Sequence, residues 1–241
     1  MDNVEAGWAR PQEDEFALMN LGAPSPYRRI AFPLCSSITP EALDLSTSDP
    51  ITLNLWKHVF IAFLLRFRVK DKRRPVLKSP THTARISVLL DIFPQAKFIH
   101  ITRNPYSIFL STRRLWQALH QTQSLQSKLD ARLDSYILNC FHEMYVAFRR
   151  DTRNMAKHQL CEIKYEDLIA NPESSLQNIY DQLDLGDFSG MHLALQGSIK
   201  KMKKYKANTY SLSKKTYDLI SSEWNDYMQD YGYEQQPTSV N

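Results

Sequence analysis

Two cationic side chains follow short apolar runs in similar sequence contexts. Lys78 ends the run RPVLK and precedes Ser-Pro, and Arg103 follows the run AKFIHIT and precedes Asn-Pro. Serine or asparagine before a proline is typical of a helix start. Each cation is therefore expected beside a helix N-terminus, where unpaired backbone N–H groups and the helix dipole favour negative charge. The chemistry that this pattern predicts is the binding of anionic groups.

The helix predicted after Arg103 adds hydroxyl groups to this arrangement. Ser107 and Ser111 are four residues apart and so share one helix face, with Ser107 in the first turn. In open α/β sheets, ligands bind outside the carboxyl ends of the strands. We therefore expect a pocket at this edge for a ligand with two anionic groups. The alternative is that Lys78 and Arg103 are solvated strand ends.

Alternating strands and helices must position these side chains. The sequence predicts strands at RPVLK (74–78), AKFIHI (96–101) and QLCEIKY (159–165), and a helix after each of them. Strand–helix–strand order indicates parallel neighbours joined by right-handed crossovers. The sequence therefore predicts an α/β fold with a parallel sheet flanked by helices.

The remaining segments complete one predicted domain over residues 1–241. Residues 1–50 are irregular and proline-rich, with one short helical candidate near 13–21, and residues 234–241 form a polar tail expected to be flexible. A chain of 241 residues that is 43% hydrophobic can bury one sizeable core. Further long helices are predicted near residues 51–70, 129–157 and 214–231.

Charge and composition narrow the classes of partner. The net charge of +4 favours anionic ligands but is too small to indicate nucleic-acid binding. Two basic clusters, Lys70–Arg74 and Lys200–Lys206, are typical of solvated faces, and a module that binds acidic polymers is the functional alternative. The three cysteines have no paired metal spacing, and no metal is inferred.

The sequence predicts a soluble chain without a membrane span. The acidic, polar start is unlike a signal peptide. The most apolar stretch, Leu53–Phe67, is interrupted by charged and polar residues, whereas a span needs about 20 apolar residues. A cytoplasmic location is favoured, and the oligomeric state is left open.

Two stretches of the sequence resemble a known family of enzymes. The stretch VLKSPTHTARISVLLDIFPQAKFIHITRNPYSIFLSTRRLW is similar to the middle of the sulfotransferases that use 3′-phosphoadenosine-5′-phosphosulfate, particularly the branch with the tyrosylprotein sulfotransferases. The later stretch CEIKYEDLIANPESSLQNIYDQLDL resembles the family's Tyr-Glu-Asp/Glu-Leu strand exit and the helix after it. Residues 74–185 match best. The resemblance implies a three-layer, P-loop-NTPase-like fold and the transfer of a sulfuryl group to a hydroxyl or amine.

The resemblance also implies roles for particular residues. Arg103 and Ser111 match positions that hold the 3′-phosphate of the nucleotide, where an arginine fork and a neutral hydroxyl suit the oxyanion. Lys78 matches the lysine that stabilises charge on the bridging oxygen during transfer. Tyr165 matches a tyrosine near the nucleotide, although a half-buried tyrosine at a strand end is the alternative. Glu166 and Asp167 are interpreted as capping or turn residues.

A general base must take the proton of the attacking acceptor, and two candidates stay open. His82 lies in the first turn after Lys78, and histidine is the side chain that most often acts as a general base. Glu13 belongs to the early QEDEFAL segment, where the tyrosylprotein branch resembles a carboxylate-base arrangement. A local hydrogen bond at the helix start is the structural alternative for His82.

The chain departs from the family pattern at its start. The family begins with a strand and a glycine- and hydroxyl-rich loop that cradles the 5′-phosphosulfate. None of the six glycines here stands in that context, so the N-terminal strand and P-loop are expected to be missing, and activity of this chain is in doubt. The alternative is a non-catalytic remnant that binds adenosine bisphosphate.

The acceptor, a small molecule or a polymer, is not identified, although residues 8–33 could line its pocket.

Overall fold

A computed structural model describes residues 7, 10, 12–34, 40, 42–126, 131–202 and 212–233. The chain divides into two compact units, the first comprising Met1–Pro94 with Ser111–Asp151 and the second Gln95–Leu110 with Thr152–Asn241. The prediction of one domain over 1–241 stays a prediction. The predicted flexible tail at 234–241, Cys35, and the side chains of the basic cluster Lys200–Lys206 lie outside the described residues.

The first unit is helical. Asp49 begins its longest helix, since the carboxylate accepts hydrogen bonds from the backbone N–H groups of Ile51 and Thr52. The α-helices are α1 (Asp14–Asn20), α2 (Arg28–Ala31), α3 (Pro50–Lys70), α4 (Ile86–Ile92) and α6 (Leu133–Thr152), with 3₁₀ turns at Leu45–Thr47 and Pro80–Ala84. The helix α5 (Pro105–Gln123) enters this unit at Ser111.

Aromatic side chains form much of the core of the first unit. Trp56 and Phe60, one turn apart on α3, stack at 4.7 Å between ring centroids, and both are fully buried. Phe93 contacts Phe60 edge-on at 6.3 Å. A second cluster joins Leu43, Ala84 and Ala147. Burial on this scale stabilises the unit because about 25 cal/mol is gained per Å² of apolar surface removed from water.

The second unit contains a parallel pair of strands. β1 (Phe98–Thr102) pairs with β2 (Leu160–Lys164), with Phe98 opposite Leu160 and Thr102 opposite Lys164. Cys161 on β2 packs against Ile179 and Leu183. The helices that follow are α7 (Tyr165–Ala170), α8 (Pro172–Leu183), α9 (Ser189–Met202), α10 (Lys214–Glu223) and α11 (Asn225–Tyr231).

The structure confirms two of the three predicted strands and corrects the third. β1 and β2 lie where AKFIHI and QLCEIKY predict them. The prediction of a strand at 74–78 is wrong, because this segment has no ladder partner among the described residues. Val76 is 91% exposed there, so an apolar run alone did not bring the segment into a sheet. Lys78 therefore ends an unpaired segment and not a strand.

Two predicted helices are interrupted by buried side chains. The helix expected after Ser79 is a 3₁₀ turn and α4, separated at Arg85, and the helix expected near 214–231 is divided at Trp224. Both residues at the breaks are buried, and both have non-helical backbone angles. None of the helices within the described ranges is long and apolar enough to cross a membrane.

The three predicted Ser-Pro and Asn-Pro helix starts differ in their capping. Asn104 caps α5, because its Oδ1 accepts a hydrogen bond of 3.1 Å from the backbone N–H of Ser107. Ser79 and Asn171 precede Pro80 and Pro172 in the same way, but neither side chain makes a capping bond. The sequence signal therefore predicted the helix starts correctly, but two of the three expected capping hydrogen bonds are not formed.

This difference predicts unequal stability effects. Asn104→Ala is expected to lower the free energy of unfolding by about 1 kcal/mol, because a capping bond is lost. The matched change Asn171→Ala should stay within about 0.5 kcal/mol, since no capping bond exists there. Urea denaturation measures both. Equal losses for the two variants would contradict the assigned cap.

Candidate active site

Acidic residues at the start of α1 pair with basic residues of the segment that follows Val76 in the first unit. The basic positions are separated by four and three residues, a spacing that keeps them on one face of a helical turn. The pairs are Glu13 with Lys78, Asp14 with His82, and Glu15 with Arg85.

The outermost pair joins two residues that the sequence predicted to act in catalysis. Lys78 Nζ donates a hydrogen bond to Glu13 Oε1. The hydroxyl of Tyr27 donates to the other oxygen, Oε2, at 2.6 Å. Burial, with the neighbouring carboxylate of Glu13, raises the pKa of Tyr27 far above its usual value, so the phenol stays protonated and remains a donor. The Lys78 side chain is 77% exposed, whereas that of Glu13 is 22% exposed.

The middle pair involves His82, the other candidate base. Its Nε2 lies 2.8 Å from Asp14 Oδ2. Its Nδ1 is buried and has no hydrogen-bond partner among the described residues, and Phe60 contacts the ring edge-on at 5.9 Å. One nitrogen is thus engaged by a carboxylate and the other is closed off from solvent. The structural alternative for His82 is a local hydrogen bond at the helix start, whereas the bond in the structure is a long-range one to Asp14.

The innermost pair, Glu15–Arg85, is completely buried. Two guanidinium nitrogens of Arg85 donate to the carboxylate of Glu15, at 2.6 and 3.2 Å, which is the fork geometry that suits this pair. Nη2 of Arg85 also donates to the carbonyl oxygen of Ala42 at 2.7 Å, and Nε donates to the carbonyl oxygen of Leu43 at 3.2 Å. Thr81 donates to Glu15 at 2.8 Å. Sequence reasoning missed Asp14, Glu15 and Arg85, although the Lys-x₃-His-x₂-Arg spacing and the Glu-Asp-Glu run were the available signals.

Breaking the buried fork predicts a large loss of stability. Arg85→Met should lower the free energy of unfolding by about 3–5 kcal/mol, because Glu15 would become an unpaired buried charge. The double change Glu15→Gln with Arg85→Met removes that charge and should recover part of the loss. Urea denaturation at pH 7 measures both variants. A loss below about 1 kcal/mol for Arg85→Met would contradict the buried pair.

Arg103 lies in the second unit, directly after β1. Its guanidinium carbon lies 4.3 Å from the centre of the Tyr165 ring, a cation–π contact with the first residue of α7. Within the described ranges, the guanidinium makes no ion pair, so its N–H donors face no competing carboxylate there. Tyr165 and Arg103, both predicted to bind nucleotide, are therefore in direct contact.

Glu166 holds the turn after Arg103 through a long-range hydrogen bond, whereas the sequence predicts a local capping or turn role for it. Glu166 Oε1 accepts a hydrogen bond of 2.9 Å from the backbone N–H of Asn104. The other oxygen accepts a hydrogen bond of 3.1 Å from the hydroxyl of Tyr233. Burial, together with the charge of Glu166, raises the pKa of Tyr233 to about 12, so this hydroxyl is protonated at neutral pH.

A shallow cleft of about 420 Å³ lies beside the ends of the strands in the second unit. Lys164 is the basic residue of its lining, and Glu162 and Asp167 are the acidic ones. Because the carboxylates outnumber the lysine, the cleft is a poor match for a doubly anionic nucleotide. Arg103 is a better candidate for anion binding in this unit.

The remaining predicted contacts involve residues of different units. Lys78, His82 and Glu13 come together in the first unit, and Arg103 contacts Tyr165 in the second. Ser111 lies on α5 within the first unit. The predictions that Lys78 and Arg103 share one edge, and that Ser111 joins Arg103, stay predictions. In the part of the chain that the structure describes, no group of His, Cys, Asp or Glu could hold a metal ion.

Comparisons with known proteins agree with the predicted fold class. A family model described as "Sulfotransferase family" matches residues 22–189. The crystal structure of sulfotransferase STF9 from Mycobacterium avium aligns with a TM-score of 0.62 and 16% identity, over 79% of this chain and 49% of that one. This likeness confirms the α/β, P-loop-NTPase-like fold class.

Two curated relatives match over nearly the whole chain. They are the omega-hydroxy-beta-dihydromenaquinone-9 sulfotransferases Stf3 of Mycobacterium bovis and Mycobacterium tuberculosis, each 36% identical over 234 residues. The alignment covers 97% of this chain and 60% of each relative. The chain therefore spans about three fifths of the length of these relatives.

Proposed function

Because the chain belongs to the sulfotransferase family, to which its residues 22–189 match, we propose that it transfers a sulfuryl group from 3′-phosphoadenosine-5′-phosphosulfate to a hydroxyl group of an acceptor. The observation that carries this proposal is the contact between Lys78 and Glu13. Transfer needs a cation for the bridging oxygen of the donor and a base for the acceptor hydroxyl. This pair supplies both groups side by side.

The two members of the pair act in sequence. Without donor, Lys78 is neutralised by Glu13. The exposed lysine stem lets the ammonium leave the carboxylate and bind the donor, whose anionic groups attract it. Glu13 then loses the hydrogen bond from Lys78, which leaves its Oε1 free to accept a proton. Tyr27 keeps Oε2 in place, so the oxygen that Lys78 has left, Oε1, is the one that takes the acceptor proton.

Glu13 is the preferred base because His82 has no accessible basic nitrogen. Nε2 of His82 is held by Asp14, and Nδ1 is buried beneath the surface of the first unit. A base must reach the acceptor proton within about 2.6–3.2 Å, which His82 could do only after leaving Asp14. Glu13 is partly exposed and lies beside the cation that acts on the donor.

Arg103 provides the anion-binding group for the 3′-phosphate. Its planar fork suits a phosphate bidentately, and the Tyr165 ring below it limits the orientations that the guanidinium can adopt. Ser111 is assigned to the same phosphate as a neutral donor, on the basis of the family resemblance. Neither role requires a metal ion, because arginine and lysine supply the positive charge.

The acceptor that we propose is a terminal alcohol on an isoprenoid lipid. The name of the two mycobacterial relatives gives an omega-hydroxy menaquinone derivative as their acceptor. In this chain the early segment that was expected to line the acceptor pocket presents large apolar side chains. Leu21 is 43% and Phe32 41% exposed in the same unit as Glu13. An apolar ligand fits such a surface better than a sugar does.

The choice of base predicts a kinetic difference. Glu13→Gln should lower kcat by about 10²–10⁴-fold, because an amide cannot accept the acceptor proton. His82→Gln should change kcat by less than about tenfold and act mainly by lowering stability. The measurement is transfer of radiolabelled sulfate to an omega-hydroxy isoprenoid quinol, with the melting temperature recorded for both variants. A large kcat loss for His82→Gln with Glu13→Gln near wild type would reverse the assignment.

The nucleotide site predicts selective loss of binding. Arg103→Ala should weaken the affinity for adenosine 3′,5′-bisphosphate by about tenfold or more, because charge-assisted hydrogen bonds are lost. Arg73→Ala is the matched control, since Arg73 belongs to the basic cluster Lys70–Arg74 and is 87% exposed. Calorimetric titration measures both. Binding that survives Arg103→Ala and falls with Arg73→Ala and salt would instead support the acidic-polymer module.

Measuring thermal stabilisation by the nucleotide beside sulfate transfer distinguishes nucleotide binding from catalytic turnover. Thermal stabilisation by adenosine 3′,5′-bisphosphate without any transfer of sulfate would support the non-catalytic remnant and contradict the enzymatic proposal.

A further inference from the structure

A single tyrosine hydroxyl holds both backbone polar groups of Arg103. The hydroxyl of Tyr227 accepts a hydrogen bond of 2.9 Å from the backbone N–H of Arg103. The same hydroxyl donates a hydrogen bond of 3.0 Å to the backbone carbonyl oxygen of Arg103. Tyr227 lies on α11, far along the chain, and its side chain is buried.

These two hydrogen bonds lie just beyond the end of β1, where strand pairing no longer fixes the backbone. The paired register of β1 ends with Thr102 opposite Lys164, so Arg103 is the first residue beyond the ladder. Backbone groups that leave a ladder still need hydrogen-bond partners when they are shielded from water. Tyr227 supplies both partners to the residue whose side chain is proposed to bind the 3′-phosphate.

The Tyr227 ring is itself fixed by aromatic neighbours. Tyr233 stacks on it, with ring centroids 5.8 Å apart and planes 12° apart. Tyr231 contacts it with a centroid distance of 4.9 Å. Packing of this kind limits the rotamers of Tyr227, so its hydroxyl is held in position before any ligand binds.

The C-terminal helices also hold the residues that follow Arg103. The hydroxyl of Tyr106 lies 2.7 Å from Ser221 Oγ, and the Tyr106 ring stacks on Tyr217 at 4.4 Å. Phe109 contacts Trp224 edge-on at 6.0 Å. The start of α5 is thus packed against α10 and against Trp224, the residue between α10 and α11.

We propose that Tyr227 is a positioning residue for nucleotide binding, which sets the backbone of Arg103 so that its guanidinium fork meets the 3′-phosphate. The inference rests on the proposed function. A bidentate contact needs both N–H donors at the right angle, and a rotated backbone would leave only one of them in reach. Tyr227 acts through Arg103 and has no assigned contact with the nucleotide.

Tyr227→Phe tests this role because it keeps the ring and its packing. The affinity for adenosine 3′,5′-bisphosphate is expected to fall about five- to tenfold, because the backbone of Arg103 loses its two hydrogen bonds. At saturating donor, kcat should stay within about twofold of the wild-type value. Hydrogen exchange should show faster exchange at the Arg103 amide.

The matched control is Tyr231→Phe. Tyr231 lies on the same helix, and its hydroxyl donates to Glu162 in the middle of β2, not to Arg103. The control should leave both the nucleotide affinity and the exchange of the Arg103 amide unchanged. Melting temperatures of the two variants show whether general destabilisation differs between them.

The possible outcomes separate this inference from the proposed function. Wild-type affinity and exchange in Tyr227→Phe, beside a clear loss in Arg103→Ala, would overturn the positioning role alone. Equal effects of Tyr227→Phe and Tyr231→Phe would also overturn it. If neither Arg103→Ala nor Tyr227→Phe changes nucleotide affinity, the proposed nucleotide site fails, and the positioning role fails with it.

Discussion

The buried fork between Glu15 and Arg85 is the interaction on which the proposed transfer chemistry depends. It is fully buried, and Arg85 also binds the carbonyl oxygens of Ala42 and Leu43. Removing one partner of such a pair is strongly destabilising, so the two segments that it joins have one favourable alignment. That alignment puts Glu13 beside Lys78. The exposed and partly exposed groups of the site are thus ordered by a pair that solvent does not reach.

In the second unit, neutral hydroxyl groups, and not a buried ion pair, hold the residues of the candidate site in position. Tyr227 binds the backbone of Arg103, and Tyr233 binds Glu166, which in turn accepts from Asn104. A hydroxyl can donate and accept at once, so one tyrosine satisfies an N–H and a C=O of the same residue. A charged residue in that place would attract or repel the phosphate proposed to bind Arg103, whereas a phenol leaves the charge of Arg103 undiminished.

The sequence allowed prediction of the elements whose signal is local. β1, β2 and the start of α5 follow from apolar runs and from Asn104-Pro105, and the capping bond of Asn104 exists as expected. The strand predicted at 74–78 does not form, because a strand needs a pairing partner, and a local sequence pattern contains no information about that partner. The candidate site divides in the same way. Lys78, Glu13 and Arg103 were predicted from their positions in motifs, whereas no motif predicts the long-range pairs Glu15–Arg85 and Tyr227–Arg103.

Charge balance in the first unit explains why His82 is better suited to structure than to catalysis. Glu13, Asp14 and Glu15 are consecutive, so their carboxylates repel one another at short range. Lys78 and Arg85 neutralise Glu13 and Glu15. Asp14, the middle carboxylate, is hydrogen-bonded to His82. If His82 left Asp14 to take a proton from an acceptor, a buried carboxylate would lose its partner at the moment when Lys78 is needed by the donor. In the proposed mechanism Glu13 acts as a base without that cost, because the departure of Lys78 to the donor exposes its oxygen.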